Sequence, residues 1–248
     1  MRGLFVIYRR ELAGLFLSPL AWALFFLMVV FNGLVFLHGL ERETGGDVDA
    51  SLGLVLGGGL PFWMISALLA PLLTMRMISE ESRTGVLEFL LTAPVGDVAV
   101  VLGKALAATT FFAILWGTVL LYGVAVQALG APPDWGILFT SWLGATLVCG
   151  LFSSVGLAAS ALSGTPLIAA FLASVLNLGL FWAAKLGRGA RGRSELVDEL
   201  LDKIDVTAAY QSSFQTGALD TAHIVFFLAW SAAFLFLAVR LVEARRWL

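Results

Sequence analysis

Charge is what this chain has least of. Asp, Glu, Lys and Arg make up 13% of its 248 residues while apolar residues make up 60%, against about a quarter charged in an ordinary soluble domain. That shortage, with a mean hydropathy of +0.94, excludes a solvated globular fold and places the chain in a membrane. Cysteine is nearly absent as well. Cys149 is the single one, so no disulfide forms within the chain, and inside an apolar run it reads as a small packing residue. The long apolar runs lack alternation, which excludes a spanning barrel and leaves helices as the way to satisfy the backbone in lipid. A phosphate-binding loop is missing too: Gly103-Lys104 is the one Gly-Lys pair, Ala105 follows it, and Val98 stands where the loop's first glycine belongs. Any ATP used here is bound by another subunit, and no nucleic-acid partner is expected.

What is present is a series of apolar runs. A window of about 19 residues picks out six candidate spans: Leu20 to Leu40, Leu52 to Thr74, Ala105 to Leu129, Ile137 to Leu162, Pro166 to Ala184 and Ala222 to Leu241. The expected fold class is an all-α polytopic membrane protein with six transmembrane helices in one domain over residues 1–248, because roughly 20 residues per span leave no room for a separate soluble unit. The first span is expected to stay as an anchor and not to be cleaved. Its apolar core is long, and no small-residue cleavage pattern follows. Six spans put both termini on one side with Arg2, Arg9, Arg10, Arg76, Arg83, Lys104, Arg240, Arg245 and Arg246, nine of the fifteen basic residues. The majority makes that side cytoplasmic. The dissenters include a cluster in the longest outer loop, 185–221, where Glu195, Asp198, Glu199, Asp202, Asp205 and Asp220 offset it.

Residues 1–18 read as an interfacial helix with two faces. Leu4, Ile7, Tyr8, Leu12 and Leu15 recur at helical spacing between Arg2 and Leu17, while Arg2, Arg9 and Arg10 point elsewhere. Glu11 interrupts the pattern, either because a protein neighbour stands there or because the carboxylate snorkels to water. The bland alternative for the whole segment is a positive flank that orients the first span. Inside the spans the larger polar residues are Asn32, His38, Gln127 and Asn177, and no ionisable group falls at a span centre. An ion-coupled secondary carrier usually needs such groups, and an intramembrane enzyme needs a nucleophile with a base, so both functions are disfavoured. Ser153, Ser154, Ser160 and Ser163 have no His or Lys nearby in sequence. With Gly144, Gly150, Gly156, Ala158, Ala159 and Gly164 they form a small-residue packing face, and Gly53 and Gly57 repeat that spacing in the second span. His38 and His223 lie near outer span ends with no Cys or carboxylate at ligand spacing, so no metal site is expected.

Most of the informative charge sits between the second and third spans. In the cytoplasmic loop 75–104 a helix continuing from the second span is expected to turn at Gly85. A short helix follows, with Val86, Leu87, Leu90 and Leu91 on one face and Glu88 on the other, and Pro94 ends it; the chain re-enters the membrane at Lys104. A merely solvated polar loop is the alternative. In the outer loop, S-E-L-V-D-E-L-L-D-K-I at Ser194 to Ile204 puts Leu196, Leu200, Leu201 and Ile204 on one face of an amphipathic surface helix.

R-M-I-S-E-E-S-R-T-G-V-L-E-F-L-L-T-A-P-V-G-D-V-A-V-V-L-G-K, from Arg76 to Lys104, resembles the signature loop of ABC exporter permeases of the ABC-2 type. Three other stretches are similar to the gliding-motility branch of that family. They are Y-R-R-E-L at Tyr8 to Leu12 with S-P-L at Ser18 to Leu20, S-A-L-S-G-T-P-L-I-A-A at Ser160 to Ala170, and F-L-F-L-A-V-R-L-V-E-A-R-R-W at Phe234 to Trp247. The resemblance covers essentially the whole chain. It implies a non-catalytic permease subunit in a bacterial inner membrane, paired with a second copy or a related permease, above two ABC ATPase subunits that hold ATP and magnesium; this chain itself would carry no cofactor. It also implies that the loop after the second span carries a coupling helix, with Glu80, Glu81, Arg83, Thr84, Gly85, Leu87 and Glu88 facing the ATPase and Arg9, Arg10 and Glu11 adding to that surface. Leu196, Leu200, Leu201 and Ile204 would belong to an outer gate. The function implied is export, or force transmission to an envelope accessory protein, since the branch includes permeases tied to gliding motility and others linked to assembling envelope or copper enzymes.

Overall fold

A computed structural model describes residues 2–43, 45–85, 96–188 and 203–245. Among them every regular element is a helix, and six segments are long and apolar enough to cross a membrane. Helix α1 (Arg2–Leu17) leads through Ser18 into α2 (Pro19–His38), which closes in a π turn at Gly39–Glu43. The second crossing is composite: α3 (Val48–Gly53), a π turn at Leu54–Gly58, and α4 (Leu60–Arg83). Helices α5 (Asp97–Ala128), α6 (Trp135–Leu162) and α7 (Pro166–Arg188) make the next three. A short α8 (Val206–Ser213) and a 3-10 turn (Phe214–Thr216) precede α9 (Thr221–Arg245), the last crossing. Pro19, Pro61 and Pro166 each stand in the first turn of a crossing helix, where a missing N–H costs nothing. Asp47, Asp134 and Asp205 cap α3, α6 and α8, each accepting two backbone N–H groups.

Helix α6 is the hub, packed against α4, α5, α7 and α9. Within the chain 83% of an 18-residue apolar stretch of α6 is buried, against 17% for the like stretch of α9. Lipid is as apolar as leucine, so close approach and not water exclusion must hold these helices together, and α6 presents small residues for that purpose. A side chain at Gly156 would collide with Thr74 of α4, and one at Gly144 with Tyr210 and Phe214. Side-chain hydrogen bonds add to the grip. Pro71 inside α4 has no N–H for the carbonyl of Ala67. Asn177 of α7 donates to that oxygen instead at 3.3 Å, and to the carbonyl of Phe152 in α6 at 3.4 Å. Further along α4, Ser160 Oγ donates to the Met75 carbonyl at 2.9 Å and accepts the Ile78 and Ser79 N–H groups at 3.2 and 3.0 Å.

Two boundaries differ from the sequence reading. The second crossing is not one helix over Leu52 to Thr74. Leu56 (φ −97°, ψ 43°) and Gly57 (φ 106°, ψ −7°) leave helical geometry, and the positive φ at Gly57 is one that glycine alone adopts at little cost. At its other end α4 continues past Thr74 to Arg83, as the turn expected at Gly85 requires, but α5 already begins at Asp97, so Lys104 lies inside a helix and not at its start. The apolar face read on α1 is also spoken for: Ile7 is buried against Gly103 of α5, and the Tyr8 hydroxyl donates to Thr110 Oγ1 at 3.2 Å.

Candidate functional site

Three helices converge where α1 crosses the start of α5 and the end of α4. Gly103 permits the approach, since a Cβ there would lie 2.9 Å from Ile7 Cγ2 and 3.2 Å from the Leu4 carbonyl. One helical turn beyond Ile7, Glu11 then comes level with Lys104. Lys104 is fully buried, 0% exposed, and its Nζ stands 3.0 Å from Glu11 Oε1 and 2.8 Å from Glu81 Oε2. Arg10 closes the cluster from the water side, its Nη2 2.7 Å from both Glu11 Oε1 and Glu81 Oε1. Two positive and two negative groups cancel. A buried ammonium facing one carboxylate would carry several kcal/mol of uncompensated desolvation; here two carboxylates share it and a half-exposed guanidinium shares them.

The titration behaviour follows from that arrangement. Burial opposes ionisation of Glu11, but the Lys104 ammonium and the Arg10 guanidinium more than offset it, and the carboxyl titrates below its ordinary value. The hydrogen bond to Glu11 raises the Arg10 guanidinium further, against its own partial burial. The ion pairs tie the N-terminal helix, the end of α4 and the start of α5 into one body.

Of the residues read as an ATPase-facing surface, Arg10, Glu11 and Glu81 are brought together, and they are occupied mainly with one another and with Lys104. Glu80 is half-buried with Arg76 Nε at 3.8 Å, while Arg9 and Arg83 are exposed. Thr84 Oγ1 donates to the Glu80 carbonyl at 2.8 Å, and Gly85 (φ 74°) takes the left-handed conformation that turns the chain out of the helix. Leu87 and Glu88 lie outside the described residues, as do Leu196, Leu200 and Leu201 of the outer loop; Ile204 is half-buried just before α8.

At the opposite end of the bundle α8 is seated on the broken second crossing. A break at membrane depth is tolerated only where the freed backbone groups find protein partners or water, and here side chains supply them. Gln215 Nε2 donates to the Gly53 carbonyl at 3.1 Å and Trp63 Nε1 to the Gly57 carbonyl at 2.9 Å. The Tyr210 hydroxyl sits between the carbonyls of Leu56 and Ser141, 3.0 Å from the latter. The Tyr210 ring stacks on Phe62 and Phe214 and meets Trp63 edge-on. Thr140 and Ser141 of α6 donate to the Phe214 carbonyl at 2.8 and 3.1 Å.

Sequence reasoning missed Lys104, Tyr210 and Gln215 as site residues. Gly57-Gly58-Gly59 inside an apolar run was a usable signal for the break. An acid on the apolar face of α1 and a lone lysine near the start of a span were a usable signal for the buried pair. Among the described residues no three of His, Cys, Asp and Glu converge as metal ligands. The family model described as ABC-2 family transporter protein matches residues 5–247. No curated protein matches the chain.

Proposed function

Since the chain belongs to the ABC-2 transporter family, we propose that it is the membrane half of an ATP-driven exporter whose ATP-binding subunits are separate chains. It is a multi-pass permease component, and partners of the ABC ATPase type and pairing of permeases are general in that family. In the proposed assembly two permeases, this chain with itself or with a relative, stand in a bacterial inner membrane with both termini cytoplasmic, over two ATPases. The resemblance seen in the sequence at Tyr8 to Leu12 with Ser18 to Leu20, at Ser160 to Ala170 and at Phe234 to Trp247 supports placing it in the gliding-motility branch. The transported species, or the envelope protein that receives force, is set by partners of the complex.

The observation that best supports this reading is the four-charge cluster. When the ATPases close on ATP they push on the loop that begins at Gly85. The end of α4 is bonded through Glu81 to Lys104 and Arg10, so the displacement reaches α1, α4 and α5 together and α4 does not bend alone. Asn177 and Ser160 pass it on to α6 and α7, a rigid-body switch with little chemistry in this chain. On the outer side, lifting α8 from the broken crossing opens the path.

Co-purification with the cognate ATPase tests the reading. The chain alone should neither bind nor hydrolyse ATP, and with its ATPase it should form a complex of two permeases and two ATPases by native mass spectrometry. Gly85→Pro and Glu88→Arg should insert normally yet dock the ATPase more weakly. ATP hydrolysis by the isolated chain, or proton-driven uptake by it in liposomes, would overturn the proposal.

A further inference from the structure

Between α1, the start of α2 and α4 lies a cleft of about 200 Å³ that the coupling reading does not use. Its two ends differ in chemistry. Leu24 of α2 and Leu72 and Leu73 of α4 wall the end that runs into the span; Ser18, Arg76, Glu11 and Glu81 line the end at the four-charge cluster. From Leu72 to Glu81 the cleft follows α4 for about 13 Å at the helical rise of 1.5 Å per residue. That length takes a lipid from its first methylenes through its headgroup. Leu72 is 42% exposed on the flank of the cleft, so the apolar end is continuous with the lipid-facing surface of α4.

The polar end carries both signs of charge. Arg76 is largely exposed, and its one ion pair among the described residues, to Glu80, is long at 3.8 Å; such a pair contributes little and gives way to a better acceptor at small cost. The hydrogen bonds that Glu11 accepts from Lys104 and Arg10 both go to Oε1, which leaves the lone pairs of Oε2 for a ligand. A guanidinium available to a phosphate and a carboxylate oxygen available to a cation, one helical turn from an apolar wall, complement a zwitterionic headgroup. An anionic one matches less, because it brings the phosphate for Arg76 but no cation for the Glu11 oxygen. A primary ammonium donates hydrogen bonds to a carboxylate, whereas a trimethylammonium cannot.

We propose that this cleft binds one phospholipid bearing a primary ammonium, phosphatidylethanolamine being the chemical type, with its phosphate on Arg76, its ammonium on Glu11 and its acyl chains along Leu24, Leu72 and Leu73. The bound lipid wedges α2 against α4 beside the charge cluster, and so acts on the same body that the ATPase moves. The site does not depend on ATP coupling and is tested without it.

The test is native mass spectrometry on the full chain, delipidated in detergent and titrated with phosphatidylethanolamine, its mono- and dimethyl derivatives, phosphatidylcholine and phosphatidylglycerol of matched acyl chains. The expected result is one tightly retained phosphatidylethanolamine, about tenfold preferred over phosphatidylcholine, with graded loss through the methylated series. Arg76→Gln should abolish the preference and Arg240→Gln, on α9, should leave it. Gly14 lines the cleft and a Cβ there meets nothing within 4 Å. Gly14→Leu therefore fills the space in a folded chain and should remove retention altogether. Equal binding of ethanolamine and choline lipids, preference for phosphatidylglycerol, or unchanged retention in Gly14→Leu overturns the site. So does a cleft that retains no lipid because a second copy or the ATPase covers it.

Discussion

Lys104→Met removes one charge and little volume from the cluster, and its cost can be worked out from the geometry. In the native chain the ammonium is 0% exposed, and each of its two carboxylates has a side chain about one-seventh exposed, 14% for Glu11 and 16% for Glu81. Methionine fills the same space with thioether and methylene. Glu11 and Glu81 then face each other across it with Arg10 as their shared counter-charge. Breaking a buried ion pair from one side costs 3–5 kcal/mol; the residual exposure of the carboxylates and the presence of Arg10 put this case at the lower end, about 3 kcal/mol. Glu11→Gln alone, which spares Glu81 for Lys104, should cost about 1–2 kcal/mol. The double variant leaves the Arg10–Glu81 pair intact with no orphaned charge, so its cost should fall well short of the sum, by a coupling of about 1–3 kcal/mol. Equilibrium unfolding of the four proteins in detergent, wild type and both singles with the double, reads this directly. Strict additivity, or a cost for Lys104→Met below about 0.5 kcal/mol as for ordinary surface changes, would refute the clamp.

Three further expectations rest on other parts of the structure. Gly57→Ala imposes a Cβ at φ 106° and against the Tyr210 ring, and should cost about 3 kcal/mol or more. Tyr210→Phe orphans a carbonyl for about 1–2 kcal/mol, and thermal unfolding that ranks them in the opposite order would disprove the seating of α8. Glu11 has a lowered pKa in the folded chain, so its stabilisation is full above the ordinary carboxyl value of 4.5 and is lost as pH falls through the lowered one. Stability should be flat in this group near neutrality, and Glu11→Gln should shallow the acid limb of a pH-denaturation curve; an unchanged acid limb would count against it. In a Cys149→Ala background, a cysteine at exposed Gly45 should react with an impermeant thiol reagent in intact cells while one at exposed Arg83 should not, and the reverse labelling would invert the proposed topology.

Several features were legible before any coordinates because they are periodic or compositional. Six apolar runs announced six crossing helices, since lipid forces each backbone to satisfy itself within its own segment. The small residues of α6 announced close packing, and Gly85 after Arg83-Thr84 announced a turn. Other features were hidden because they depend on residues far apart in the chain. Asn177 looked like an isolated polar residue until the carbonyl freed by Pro71, 106 positions earlier in number, was found beneath it. Lys104 read as a basic residue at the start of a span, with nothing nearby in sequence to show its two carboxylate partners. The amphipathic helix read at Ser194 to Ile204 falls almost wholly outside the described residues; α8 after it was hidden because Tyr210 is buried by serving the backbone of Leu56 and Ser141, far off in the chain.

The sequence by itself determined the solvent of this protein, its helical class and the number of its crossings, because hydropathy and the hydrogen-bonding needs of a backbone in lipid act on each segment separately. Only the tertiary structure decided that the second crossing is broken, that α8 fills the break, and that Arg10, Glu11, Glu81 and Lys104 form one neutral cluster. Those outcomes hinge on which groups meet across as many as 162 residues of chain. A buried charge or an orphaned carbonyl is stable only when its partner arrives, and the partner's address is written in the packing of helices against one another rather than in any single stretch of residues.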